Sequence, residues 1–94
     1  MRKSEILKLI GHYAIPKSHY AKTRINTNAM FIVGHDGGHF ISVPSHFANK
    51  VTPIKHDYCH LFDFHEWGCD FLDREDFTLI PEKWAVLFQR RGSF

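Results

Sequence analysis

Two apolar runs that flank a glycine-rich turn in the middle of the chain predict a β-hairpin. Residues 29–33 and 40–43 are largely apolar, and Asp36-Gly37-Gly38 between them supplies the positive φ that a tight turn needs. A two-residue loop would set Phe31 opposite Ser42 and mix the faces, so a three-residue loop is preferred. One face is then apolar and ends in a histidine pair. The facing pairs are Phe31 with Val43, Val33 with Ile41, and His35 with His39.

The chain before the hairpin predicts a helix and then an extended segment. Ser4 can cap a helix that runs to about Ala14, because apolar residues recur at helical spacing before Pro16 stops it. Residues 17–26 alternate, so an extended chain projects polar and aromatic side chains from one side. Those side chains are Tyr20, Lys22, Arg24 and Asn26, and Asn26-Thr27-Asn28 predicts a turn into the hairpin.

The chain after the hairpin predicts short elements separated by turns. Ser45 can cap one helical turn before Pro53 interrupts it. Residues 56–65 alternate imperfectly and predict a strand with both faces partly covered. Residues 73–76 predict a tight polar turn or a single 3₁₀ turn. The other predicted elements are a turn at 66–68, strands at 69–72 and 77–80, and a helix from Pro81 to Gly92 with Trp84, Leu87 and Phe88 as its apolar stripe.

Together these elements predict an α+β domain with a β-rich centre. About five short strands, with one helical turn before the last, resemble the layout of an SH3-like small barrel or a strongly bent antiparallel sheet over about residues 27–80. A helix lies at each end. The alternative is an open antiparallel sheet with helices on one face. We expect a single domain over residues 1–94, since a chain of this length has room for one core.

Composition narrows the class of protein. The chain is 44% hydrophobic and 15% aromatic, which excludes a disordered chain because that many rings can bury enough area to offset chain entropy. No apolar run approaches the roughly 18 residues that span a bilayer, so we expect no membrane association. Cys59 and Cys69 are too few for a disulfide framework, and we expect a cytoplasmic protein with two free thiols.

Charge is distributed unevenly along the chain. Residues 1–26 carry six basic residues against Glu5 alone, whereas residues 57–76, the acidic segment, carry seven acidic residues against Arg74. The molecule therefore has a basic and an acidic side unless the fold brings the two together.

Eight histidines make metal binding the first chemistry to test. His35 and His39 could converge on one zinc ion from opposite sides of the hairpin. His56 and His60 lie roughly 13 Å apart on an extended strand, too far to share an ion. There is no Cys-x-x-Cys and no His-Glu-x-x-His. We therefore expect no cofactor. One alternative is a zinc ion bound by His35 and His39, and a related alternative is a small metal- or histidine-dependent enzyme centred on this pair.

Binding is the better-supported function. In the segment 17–24, Lys17, Lys22 and Arg24 interleave charge for phosphates with Tyr20, whose ring can stack on a base. No nucleic-acid-binding motif accompanies them, and the acidic segment would repel a nucleic-acid backbone. That acidic segment sets aromatics among carboxylates and suits a protein partner. Its candidate contacts are Glu66, Trp67, Asp70, Asp73, Glu75 and Asp76, with His35 and His39 at the hairpin tip.

The sequence thus predicts a small non-enzymatic binding or regulatory protein that docks on a macromolecular partner. We expect the partner to be a protein. The expected role is that of an inhibitor or accessory factor of a nucleic-acid-processing complex, of the kind that phages and mobile elements encode. A direct nucleic-acid-binding module using residues 17–24 is the alternative. An open edge of the hairpin would also allow two copies to pair.

Overall fold

One antiparallel sheet of five strands is the framework of the protein. The computed structural model describes residues 2–25, 29–55, 58–59, 63–85 and 87. The strands are β1 (Tyr13–Pro16), β2 (Met30–His35), β3 (Phe40–Pro44), β4 (Asp70–Leu72) and β5 (Phe77–Ile80). Their order across the sheet is β4-β3-β2-β1-β5. The predicted α+β class is confirmed, and the sheet is not closed.

The hairpin forms as predicted in part, with a different register near its tip. Phe31 pairs with Val43, but an irregularity between Ile32 and Gly34 shifts the ladder, so that Gly34 pairs with Ile41 and His35 with Phe40. The predicted pairs Val33–Ile41 and His35–His39 are wrong. The loop has four residues, 36–39, because the Asp36 side chain accepts hydrogen bonds from the N–H groups of Gly38 and His39, at 2.9 and 2.7 Å.

Helix α1 (Lys3–Leu9) is shorter than predicted. Gly11 has φ +89°, a left-handed conformation that ends the helix. The chain then enters β1, which the sequence did not predict and which pairs with both β2 and β5. The N-cap residue is Arg2 rather than the predicted Ser4. The helical spacing that suggested a helix to Ala14 arises because Ile10 and Ala14 are both buried, one in the turn and one in the strand.

The prediction of an extended chain over residues 17–26 is wrong for residues 19–24, which are helical, and Asn26 lies outside the described residues. Residues His19–Arg24 form α2, whose N-cap Ser18 accepts a hydrogen bond from the Ala21 N–H at 3.0 Å. Ala21 is fully buried. Only one of the six helical residues is buried and the other five are exposed. The alternation of residue types in the sequence therefore did not indicate a strand. The predicted turn at Asn26-Thr27-Asn28 lies outside the described residues.

The strand predicted at residues 56–65 is not present where the structure describes this segment. Residues 58 and 59 are irregular, and the 3₁₀ helix η2 (His65–Trp67) follows Phe64. Residues 56–57 and 60–62 lie outside the described part. The N–H groups of Ile54 and Cys59 donate to the carbonyls of Val33 and His35, at 2.8 and 2.9 Å, where β1 has left β2. Cys59 and Phe64 bury themselves on one sheet face instead of forming a ladder.

The remaining predicted elements are present except at the C-terminal helix, but the prediction that Ser45 caps its helical turn is wrong, since the N-cap is Pro44 and makes no side-chain cap hydrogen bond. A 3₁₀ helix η1 (Ser45–Lys50) follows β3, and a 3₁₀ helix η3 (Arg74–Asp76) joins β4 to β5. Residues 82–85 and 87 are helical, but the buried side chain is Ala85, whereas Trp84 and Leu87 are 51% and 58% exposed. The predicted apolar stripe is therefore wrong for these two. Phe88 and Gly92 lie outside the described residues.

The sheet is packed on both faces. One face holds Met30, Ile32, Phe40, Leu72 and Phe77 beneath α1 and α2. The other holds the predicted hairpin face Phe31, Val33, Ile41 and Val43, with Cys59 and Phe64. Both hairpin strands are internal, so the hairpin edge has no room for a second copy. No helix in the described part of the chain is long and apolar enough to cross a bilayer.

Candidate functional site

A cleft of about 280 Å³ opens at the end of the sheet where β2 begins, β3 ends and β4 begins. It gathers four of the residues predicted to contact a partner, although they come from distant parts of the sequence. These are Arg24, Glu66, Trp67 and Asp70. We call this site the Trp67 cleft. Its apolar wall includes Met30, Val43 and Phe47.

Secondary structure fixes each of the four side chains. Arg24 is the last residue of α2, and Trp67 is the last residue of η2. Gly68 follows with φ +69°, the left-handed conformation that turns the chain from η2 into β4. Asp70 is the first residue of β4 and pairs with Ser42. The basic segment and the acidic segment therefore meet at this cleft.

Aromatic rings form one side of the Trp67 cleft. The Phe47 and Trp67 ring centroids lie 5.4 Å apart at an angle of 52°, a tilted arrangement that is favourable for aromatic pairs. His46 contacts the other side of this pair through Phe47, at 4.1 Å between centroids. Both Phe47 and Trp67 are half-buried against the sheet face that holds Phe31, Val33, Ile41 and Val43, which holds their rings in place. The cleft is therefore built on a packed core.

Two carboxylates and one guanidinium set the charge of the cleft. Burial raises the pKa of Asp70 above its ordinary value, while the charge of Arg24 acts in the opposite direction. Arg24 lies with its Cζ 5.2 Å from the Tyr20 ring centroid. Among the residues that the structure describes, none donates a hydrogen bond to the carboxylate of Glu66 or Asp70 or forms an ion pair with it. Both carboxylates line the same cleft as Arg24.

The rest of the predicted basic segment does not form one row. Tyr20 and Arg24 are four residues apart on α2 and share a side, whereas Lys22 projects elsewhere. Lys17 precedes the helix, and its backbone N–H donates to the Asp76 carbonyl at 2.8 Å. The side chains of Lys17, Lys22 and Arg24 are exposed. The helix therefore spreads charges that an extended chain would have aligned.

The two histidines of the hairpin tip do not face each other. His35 is buried in β2, where its Nδ1 accepts a hydrogen bond from the Gly37 N–H at 3.1 Å. His39 is 53% exposed, with its ring nitrogens 3.7 Å from Asp36 and 3.6 Å from Asp73. In the described part of the chain, no group of three histidine, cysteine or acidic residues is arranged to hold a metal ion. The zinc alternative gains no support.

A second cleft of about 210 Å³ lies beside the hairpin loop, at the end of the sheet opposite the Trp67 cleft. It brings His39, Asp73 and Glu75 together with Ile6 and the backbone of the hairpin loop. Burial opposes ionisation of Asp36, but the hydrogen bonds from the N–H groups of Gly38 and His39, and the charge of His39, lower its pKa overall. The Asp36 carboxylate thus stabilises the hairpin loop in which it lies.

Asp76 has a structural role. Its side chain accepts hydrogen bonds from the Ser18 hydroxyl at 2.6 Å and from the Asp73 N–H at 2.8 Å, and it is buried. It therefore ties the start of α2 to η3 and is inaccessible to a partner. Both cysteines are free, and burial raises the pKa of the thiols of Cys59 and Cys69. A raised thiol pKa disfavours a nucleophilic role.

The sequence did not reveal the apolar wall of the Trp67 cleft. Phe47 belongs to a helical turn that was predicted, but no spacing in the sequence connects it with Trp67. Met30 and Val43 were expected only as core residues. The convergence of these residues follows from the strand order, which a hydrophobic pattern does not specify.

Comparison of the chain with protein-family models, with curated proteins and with solved structures found no match in any of the three.

Proposed function

We propose that the protein is a small non-enzymatic binding or regulatory module that docks on a protein partner through the Trp67 cleft. The observation that carries this proposal is the convergence of Arg24, Glu66, Trp67 and Asp70 on one cleft at the end of the sheet. Tryptophan and arginine are enriched among residues that dominate binding energy at protein interfaces. An aromatic floor with a charged rim is the usual anatomy of such an interface.

We further propose that the sheet is bent like that of an SH3-like barrel. Support comes from the connection between the two edge strands. Strands β4 and β5 lie at opposite edges of the sheet, yet only residues 73–76 separate them. A flat sheet would set its outer strands about 19 Å apart, a distance that four residues in a 3₁₀ turn do not span. The two edges therefore have to curve toward each other.

The proposed role is that of an inhibitor or accessory factor of a nucleic-acid-processing complex in the cytoplasm. Support comes from the small size, the carboxylates interleaved with aromatics in the acidic segment, and the two free cysteines. The alternative, direct binding of nucleic acid, draws on one observation. Tyr20 is 47% exposed on α2 with Arg24 over its ring, an arrangement that can stack on a base.

Selection from a displayed library of random peptides tests the docking proposal. We expect the wild-type chain to enrich peptides that lose binding to Trp67→Ala, because the indole lines the cleft. Trp84→Ala is the matched control, since Trp84 is also exposed but does not line the cleft. Peptides that bind Trp67→Ala as well as wild type, or a selection that yields no enrichment, would contradict the proposal.

A further inference from the structure

We propose that the Trp67 cleft receives a lysine or arginine side chain of the partner protein, with its methylene stem on the aromatic wall and its charged head between Glu66 and Asp70. This inference rests on the proposed docking function and specifies what the cleft recognises. Long basic side chains combine an apolar stem with a charged end, and the cleft offers both kinds of surface.

The shape and lining of the cleft suit such a side chain. A space of about 280 Å³ is large enough to admit a lysine or arginine side chain. The half-buried rings of Phe47 and Trp67 offer apolar surface to a ligand, whereas Met30 and Val43 also line the cleft but are 1% exposed. A methylene stem is stabilised when it leaves water for an apolar surface. The wall therefore favours an aliphatic stem over a short polar side chain.

The charge of the cleft favours a cation. Two carboxylates, of Glu66 and Asp70, oppose the single guanidinium of Arg24. Arg24 is exposed and lies over the Tyr20 ring, whereas Asp70 is partly buried. The charge of a ligand cation would offset the effect of burial on the pKa of Asp70, because an opposite charge favours the ionised carboxyl group. A phosphate would meet two carboxylates at this place, so the same charges disfavour a nucleic-acid backbone.

The protein itself places cations over aromatic rings on this side of the molecule. The Lys50 ammonium lies 6.0 Å from the centroid of the Phe47 ring, and the Arg24 guanidinium makes a similar cation–π contact with the Tyr20 ring. Within the described residues, no cation lies over Trp67. Tryptophan is the strongest of the aromatic residues in cation–π contacts. A partner's basic side chain would supply that cation.

The test uses the peptides that the selection enriches. We expect one position in them to be lysine or arginine. Replacing that residue by norleucine or citrulline, which keep the stem and remove the charge, should weaken binding to wild type about tenfold, measured by calorimetry at pH 7. The same replacement should weaken binding to Asp70→Asn, and to Asp70→Asn with Glu66→Gln, by less than about threefold. Glu5→Gln removes an exposed carboxylate on α1, outside the cleft, and should respond like wild type.

The outcomes separate this inference from the docking proposal. If the enriched peptides lose binding to Trp67→Ala but contain no fixed basic residue, docking at the cleft stands and the inference is wrong. If the neutral replacement in the peptide weakens binding to the double variant Asp70→Asn with Glu66→Gln as much as it weakens binding to wild type, the two carboxylates do not bind the cation. The inference is then also wrong. If Trp67→Ala binds every enriched peptide normally, both proposals fail.

Discussion

Gly34 shows how a single missing side chain shapes the central sheet. A Cβ built on Gly34 would overlap the sulfur of Cys59, which lies directly against β2 at this point. Cys59 is buried there, and its thiol lies 3.5 Å from the His35 carbonyl. Glycine is therefore required for steric reasons, because a side chain at this position would prevent Cys59 from lying against β2.

The substitution Gly34→Ala should destabilise the protein by about 1–3 kcal/mol, the usual cost of overpacking a core. Gly38→Ala is the matched control: the nearest atom to its new Cβ is an Asp36 oxygen at 3.9 Å, so the change should stay within about 0.5 kcal/mol. Denaturant unfolding measures both. Adding Cys59→Ala should recover part of the loss, and a double variant that is no more stable than Gly34→Ala would argue against this contact.

Asp70 should make folding less favourable at neutral pH. Its pKa in the folded protein is raised, so the folded state binds the proton more tightly than the unfolded state. The stability of wild type relative to Asp70→Asn should therefore fall as pH rises through the raised pKa, and the two should converge below the ordinary value of 3.8. Thermal unfolding from pH 3 to 8 measures the difference. A difference that grows in favour of wild type with rising pH would show that Arg24 dominates instead.

At the scale of elements, α2 depends on a cap that also joins two parts of the chain. The Ser18 hydroxyl accepts from the Ala21 N–H at 3.0 Å and donates to the buried Asp76 carboxylate at 2.6 Å. Asp76 in turn closes a capping box with Asp73 at the start of η3. One serine therefore holds the helix that carries Arg24 in place.

Ser18→Ala should lower the free energy of unfolding by about 1–2 kcal/mol, since it removes an N-cap and leaves a buried carboxylate with one partner fewer. Ser4→Ala is the control, because Ser4 was predicted to cap α1 but is exposed and lies inside the helix. It should leave stability almost unchanged. Equal losses in the two variants, measured by denaturant unfolding, would refute the role given to Ser18.

Strong local patterns identified some elements, and weak ones failed for a physical reason. The hairpin, η3 and β5 were predictable because turn residues and apolar runs agree over each of them. The α2 helix was not, because six residues with one buried alanine show no helical period. The β1 strand was hidden by a chance helical spacing that continues past Gly11. Local signals are decisive only when the element is long enough to repeat them.

The sequence identified residues of the candidate site but did not predict that they lie together. Arg24, Trp67 and Asp70 were expected to contact a partner because of their charge and aromatic character. Their meeting in one cleft depends on the sheet order, in which β4 lies beside β3. The shifted register of the hairpin separates His35 from His39, and the hydrogen bond from Ser18 places Asp76 in a structural contact. Long-range strand pairing therefore decided which candidates share a site.

At the scale of the whole molecule, the two ends of the sheet differ in character. One end carries the Trp67 cleft with its aromatic wall, and the other carries the hairpin loop, where His39 lies among Asp36 and Asp73. The oppositely charged segments meet at the first end through Arg24 and Asp70. The charge asymmetry of the sequence is therefore partly neutralised in the fold, which favours a specific contact over a diffuse electrostatic one.

The most direct measurement compares a selected peptide with a labelled oligonucleotide on the same set of variants. Binding of each is titrated at two salt concentrations to wild type, to Trp67→Ala, and to Lys22→Glu combined with Arg24→Glu. The docking account predicts saturable peptide binding that Trp67→Ala abolishes, and no salt-sensitive oligonucleotide binding. Salt-sensitive oligonucleotide binding that is lost in the double charge reversal, together with peptide binding that is unchanged in Trp67→Ala, would contradict it.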